Sequence, residues 1–197
     1  MNQKEQQSAF HPDQFRSFVG MVVFICRALA VSVEVFLHNA GSFGERYLGL
    51  QVGAALLIMF VYPLFWEGHD PTPLFIFMGF FLFACLCIRV RTAQRVRRGG
   101  PQEHTMYTGT PTLMRRFGRM GEAKVKSIVE PMFVFITGVF TMSLSEPLGG
   151  YLMVASVGLL ASTHLTIGYE RRRAMDMNDA YIDQQNAVDR FRRMRGE

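Results

Sequence analysis

Long stretches of this 197-residue chain lack charge altogether, although it holds 21 Lys and Arg and 16 Asp and Glu. No Asp, Glu, Lys or Arg occurs in 47–66, 71–88, 131–145 or 147–169. Cysteine is scarce, and three residues exclude a small disulfide-stapled scaffold. Disorder is excluded by the opposite bias: 49% of residues are hydrophobic and 18 are Phe. Sequence patterns that announce chemistry are missing too. There is no G-x-x-x-x-G-K-[ST] phosphate loop, no H-E-x-x-H pair and no G-x-S-x-G elbow. No cluster of acids lies on an apolar run, so no catalytic residue, metal ligand or cofactor is assigned.

The uncharged runs carry the fold. A bilayer-spanning helix needs about 20 mostly apolar residues, within a range of about 17–25. Three runs meet that length. The fourth reaches it when Ile128 and Val129 extend it, which puts Glu130 at the headgroup level. A soluble chain this short has too little polar sequence to cover four such helices. The expected class is therefore all-α: a polytopic helical membrane protein with two transmembrane hairpins, 47–90 and 128–169, giving four core spans. The hairpin links, 67–70 and 145–150, are acidic and turn-like, with Trp66 and Tyr151 beside them as interfacial aromatics.

Basic residues set the orientation. The links contain no Lys or Arg, whereas the segment 91–127 and its flanks carry Arg89, Arg91, Arg95, Arg97, Arg98, Arg115, Arg116, Arg119, Lys124 and Lys126. The tail 170–197 adds Arg171, Arg172, Arg173, Arg190, Arg192, Arg193 and Arg195. The basic loop and the C-terminus are expected in the cytoplasm, and the membrane to be a bacterial inner membrane.

Residues 1–14 form a polar N-terminal tail, and the N-terminal charges Lys4, Glu5, Asp13 and Arg16 cancel and cast no clear vote on sidedness. They lack a compact basic region before a short apolar core, so the following segment reads as retained. That segment, 15–38, is apolar except for one stripe. At 100° per residue, Arg16, Gly20, Arg27, Glu34 and His38 share a narrow face. A charge at mid-bilayer costs roughly 2.5–3.5 kcal/mol. Two placements follow: a helix lying at the interface with its stripe toward water, or a fifth span with the stripe against other helices or a wet cavity. The narrowness of the stripe favours the second.

Small residues mark packing seams, within the chain or between subunits. Gly49 and Gly53 form a GxxxG pair, and Ala155, Gly158, Ser162 and Thr166 follow one face of the last run. A haem would need two facing histidines, and nothing pairs His38 with His164. Cys26, Cys85 and Cys87 read as reduced apolar thiols.

The basic loop continues its preceding helix until Gly99, Gly100 and Pro101 break it. A second basic helix is expected over 113–127, suited to anionic lipid or a protein partner. In the tail, Met177, Tyr181, Gln184, Val188 and Phe191 recur at spacings of four and three, a short heptad seam. Asp176, Asp179 and Asp183 precede the terminal arginines, a polarity that favours antiparallel or staggered pairing. A solvated amphipathic helix is the plainer reading.

Three functions fit. The first is a non-enzymatic membrane subunit or scaffold, with the lipid bilayer, anionic headgroups included, and copies of itself or other membrane subunits as partners. Nucleic acid is not an expected partner. The second is a homo-oligomeric channel or transporter component lined by Arg27 and Glu34. The third is a small membrane enzyme using His104, Tyr107 or His164. Topology is directly testable. With the native cysteines replaced, a labelling cysteine at Glu67 is expected to react from outside. A cysteine at Ser8 reacting from the same side establishes a fifth span, and protection there places the leading helix at the inner interface.

Overall fold

The computed structural model describes residues 12–44, 47–99, 107–117 and 120–195. The roles considered for Lys4, Glu5, Ser8, Gly100, Pro101, His104 and Arg119 fall outside those residues. The described residues are all-helical, with 82% of them in helix. Among the described residues the one extended feature is an isolated antiparallel bridge between His38 and Pro111.

Five helices carry the architecture: α1 Pro12–Leu37, α2 Leu50–Val61, α3 Thr72–Arg97, α4 Glu122–Met142 and α5 Glu146–Arg195. Four of them, α1, α3, α4 and α5, are long and apolar enough to cross a membrane. They are not the four uncharged runs. The run 47–66 folds as α2, 12 residues long, followed by one 3-10 turn, Tyr62–Phe65. Gly49 holds non-helical backbone before it (φ −103°, ψ −137°) and Trp66 leaves the helix after it (φ −120°, ψ 59°). Pro63, which has no N–H to give an α-helical bond, sits in the tighter turn between. The leading segment meets the length criterion instead, over Arg16–Leu37.

The loop departs from expectation too. The single helix over 113–127 is absent: a 3-10 turn spans Thr112–Arg115, and α4 starts only at Glu122, after Gly121 in extended backbone (ψ 150°). Upstream, Gly99 closes α3 with φ +65°, as a helix-ending glycine does. Within α4, Val125–Val129 form a π-helical turn. Pro131 accounts for it, because its ring presses on the carbonyl four residues back and its nitrogen donates nothing. A widened turn relieves both.

By internal contacts the chain divides into Met1–Ser162 and Thr163–Glu197. In the first unit every residue from Ala28 to Val35 of α1 is buried. Around them lie Ala55 and Met59 of α2, Phe81 and Ile88 of α3, Val134 of α4, and Tyr151, Ala155 and Leu159 of α5. In the second unit every described residue from Glu170 onward is exposed.

Glycines set the closest approaches. A Cβ on Gly149 would lie 2.5 Å from the Met142 nitrogen and 2.8 Å from the Gly138 carbonyl oxygen, so α4 and α5 meet backbone to backbone. A Cβ on Gly158 would lie 2.7 Å from Leu29 Cβ, which makes this small residue the seat of α1 on α5. Gly53, by contrast, faces open space, and Gly49 is exposed, so the GxxxG pair packs nothing among the described residues. Gly149→Ala is expected to destabilise the protein by about 1–3 kcal/mol, because backbone cannot move aside as a side chain can. Gly53→Ala should be neutral or gain up to about 1 kcal/mol from helix propensity. Thermal unfolding in mild detergent separates the two.

Candidate functional site

Charge is rare in the apolar segments, so the place where it is buried is the natural site to build from. His38 stands one residue beyond α1, its backbone N–H still donating to the Glu34 carbonyl at 2.9 Å. Its Nδ1 lies 2.6 Å from the Thr108 carbonyl oxygen. A carbonyl only accepts, so Nδ1 carries a proton. Nε2 lies 3.1 Å and 3.0 Å from the two carboxylate oxygens of Glu130. Both side chains are enclosed, at 1% and 0% exposure. One imidazole thus ties together the end of α1, the loop at Thr108 and the residue that follows the π turn of α4.

Several local causes assemble this arrangement. Glu130 follows the π turn and precedes Pro131, and its side chain is enclosed within the protein. Gly109, with φ +90°, lets the loop lie flat on its neighbours: a Cβ there would sit 3.3 Å from His38 Cβ and 3.1 Å from Ser42 Oγ. The loops then stitch to one another. The Asn39 N–H donates to the Thr110 carbonyl at 3.0 Å, the Gly44 N–H to the Tyr107 carbonyl at 2.9 Å, and the Thr110 N–H to Ser42 Oγ at 2.8 Å. Arg95 donates to the Gly41 and Phe43 carbonyls at 2.8 and 2.7 Å, and Arg89 to the Leu48 carbonyl at 2.7 Å.

A second polar cluster adjoins through Thr108. Lys126 Nζ donates to Thr108 Oγ1 at 3.0 Å, pairs with Glu122 at 2.7 Å and sits 4.7 Å from the centre of the Tyr107 ring. The Tyr107 hydroxyl donates to Glu122 at 2.7 Å. The other histidine–carboxylate pair, His69 with Glu146 at 2.9 Å, joins the two hairpin links. Its side chains are 44% and 49% exposed, so water screens it and it contributes little.

The polar stripe of α1 divides on folding. Glu34 and His38 are buried, Arg27 is half-buried and Arg16 is exposed. Glu34 feels the charges of His38, Glu130, Lys126 and Arg27. Gly158 and Ser162 are buried on α5, Thr166 is half-buried and His164 is exposed. Cys85 is buried, Cys26 and Cys87 are half-buried, and all three are free thiols. The seam residues Met177, Tyr181, Val188 and Phe191 are exposed. From the sequence, Glu130 read as an acid at the end of an apolar run and Arg95 as one charge of a basic loop, and Thr108 carried no signal. For Glu130 a signal existed: an acid directly before a proline inside an apolar helix, where a π turn was to be expected.

With the geometry in view, the comparisons add no relative: no protein-family model, no curated protein and no solved structure matches this chain.

Burial alone would push the His38 imidazole below its ordinary value of 6.5. The hydrogen bond to Glu130 and the charges of Glu34 and Glu130 outweigh burial and hold it above. A folded-state value above the unfolded one makes the imidazolium a source of stability. That contribution is complete below about pH 6.5 and is lost as pH rises through the raised folded value. Stability should fall with pH across that window, and His38→Gln should flatten the curve. Removing one partner of a buried pair costs about 3–5 kcal/mol, whereas replacing both with apolar groups is often near neutral. His38→Leu alone is therefore expected to destabilise strongly, and adding Glu130→Leu to recover most of the loss. Denaturation in mild detergent at several pH values measures both effects.

Proposed function

We propose that this protein is a non-enzymatic integral membrane subunit, a scaffold that presents its C-terminal helix to partners from the cytoplasmic face of a bacterial inner membrane. Support for the membrane comes from the outward surfaces of the long helices. Phe83 is 66% exposed, Phe140 73% and Val157 62%, an apolar exterior that suits lipid rather than water. The run Leu50–Phe65, with 16 residues at about 1.5 Å each, is shorter than a hydrocarbon core of about 30 Å. In this reading it leans on α1 and α3 rather than spanning alone.

The observation that carries the scaffold reading is the helix from Glu170 on, exposed along its length and apolar along one seam. An isolated helix is marginal in water, and its stability normally comes from an apolar face packed on something else. Meanwhile the chemistry-bearing side chains of the first unit, His38, Glu130, Lys126 and Tyr107, are engaged with the chain's own loops. Their chemistry goes into holding the fold.

A channel or transporter lined by the α1 stripe is the second reading, favoured by the burial of Glu34 beside His38. Two measurements separate the readings. Native mass spectrometry from mild detergent is expected to give a defined oligomer or a stoichiometric complex, and a monodisperse monomer overturns the scaffold reading. Reconstituted oligomer that passes ions, with selectivity changed by Glu34→Gln, would establish the channel instead.

A further inference from the structure

We propose that the segment 112–117 binds an anionic phospholipid in the leaflet at the basic end of the helices, with Arg115 and Arg116 on its phosphate and Phe117 among its acyl chains. The inference rests on the reading of the chain as an integral membrane protein, and it names the lipid class the protein selects and the residues that select it.

The surface of the long helices shows where headgroups would lie. On α3, Leu86 is 61% and Val90 47% exposed, and beyond them Arg91, Arg97 and Arg98 are exposed. On α4, Ile128 is 49% exposed, and Lys124, one turn earlier, is exposed as well. The apolar exterior gives way to positive charge at the end away from the two links. Arg95, in the last turns of α3, donates to the Gly41 and Phe43 carbonyls, and the same loop bonds the backbone of Tyr107 and Thr110. That stitching holds the segment 112–117 at the basic end. Pro111 is bridged to His38, and Leu113 packs against the core. The 3-10 turn Thr112–Arg115 then leaves Arg115, Arg116 and Phe117 facing outward, Phe117 at 41% exposure.

The basic residues here differ in what already holds them. Arg89 and Arg95 donate to loop carbonyls, and Lys126 is shared by Thr108, Glu122 and the face of Tyr107. The carboxylates described near the turn are Glu122 and Glu130. Lys126 and Tyr107 occupy the first, and His38 the second. Among the described residues no carboxylate forms an ion pair with Arg115 or Arg116. Arg97 and Arg98 close a long helix, where the helix dipole favours positive charge. Arg115 and Arg116 follow a single 3-10 turn and have no such reason to be there. Two neighbouring guanidiniums present planar donors that match phosphate oxygens in pairs. The adjacent exposed ring supplies the apolar half of a lipid contact. A zwitterionic headgroup carries its own cation beside the phosphate, so this pair favours a headgroup of net negative charge.

The test uses the full chain in mild detergent, titrated with phosphatidylglycerol or phosphatidylcholine, with bound lipid read by native mass spectrometry. Phosphatidylglycerol is expected to bind at least about tenfold more tightly. Each basic residue near an anionic headgroup is worth about fivefold in affinity, so Arg115→Gln with Arg116→Gln should cost phosphatidylglycerol about thirtyfold and leave phosphatidylcholine unchanged. Phe117→Ser should weaken both lipids about fivefold, because both carry acyl chains. Arg95→Gln should lower the thermal midpoint and keep the preference, because that arginine holds a loop. Equal binding of the two lipids, or a preference that survives the double Gln variant, overturns the proposal. So does a preference lost with Arg95→Gln and kept without Arg115 and Arg116. A chain that needs detergent yet prefers neither lipid overturns this site alone. A chain that stays dispersed and folded in water without detergent overturns the membrane reading with it.

Discussion

The first unit depends on one enclosed contact, the imidazole of His38 between the Thr108 carbonyl and the Glu130 carboxylate. Three segments far apart in sequence converge there, and each is shaped to arrive. The π turn before Glu130 answers the missing donor and the bulk of Pro131. The left-handed Gly109 lets the loop close on His38. The end of α1 presents the ring one residue past the helix. A buried ion pair of this kind adds less to stability than its Coulomb attraction suggests, because both groups give up water. Its stronger effect is on specificity, since any other arrangement of these segments leaves a carboxylate or an imidazole buried without its partner.

The basic residues divide into two populations that composition cannot separate. Arg89 and Arg95 donate to backbone carbonyls of the segment between α1 and α2, and so satisfy acceptors that the turn leaves open. Lys126 bridges Thr108 and Glu122. The arginines of the C-terminal helix stand exposed. Positive charge that reads as a uniform orientation signal is, on the folded chain, partly a set of clamps on the loops.

Helical class was legible because apolar runs and their interruptions are local properties. The gap between the two hairpins, Gly99 as a helix terminator and Gly158 on a packing face could all be read from near neighbours. Less legible was the length of α2, where Gly49, Pro63 and Trp66 trim a run that hydrophobicity alone extends. The GxxxG pair shows the same limit: spacing shows that two glycines share a face, not what approaches it. The pairing of Glu130 was not legible because its partner lies 92 residues away and no periodicity connects them.

From the sequence alone came the all-helical class, the two hairpin links free of Lys and Arg, the polar stripe of α1 and the heptad seam of the tail. Each follows from side-chain character repeated at a helical period, which needs no knowledge of neighbours. Tertiary structure decided which charges are enclosed, which arginines hold loops and which glycines touch backbone. Those outcomes depend on what stands opposite a residue, and the polarity of a site is set by its surroundings as much as by its own side chain.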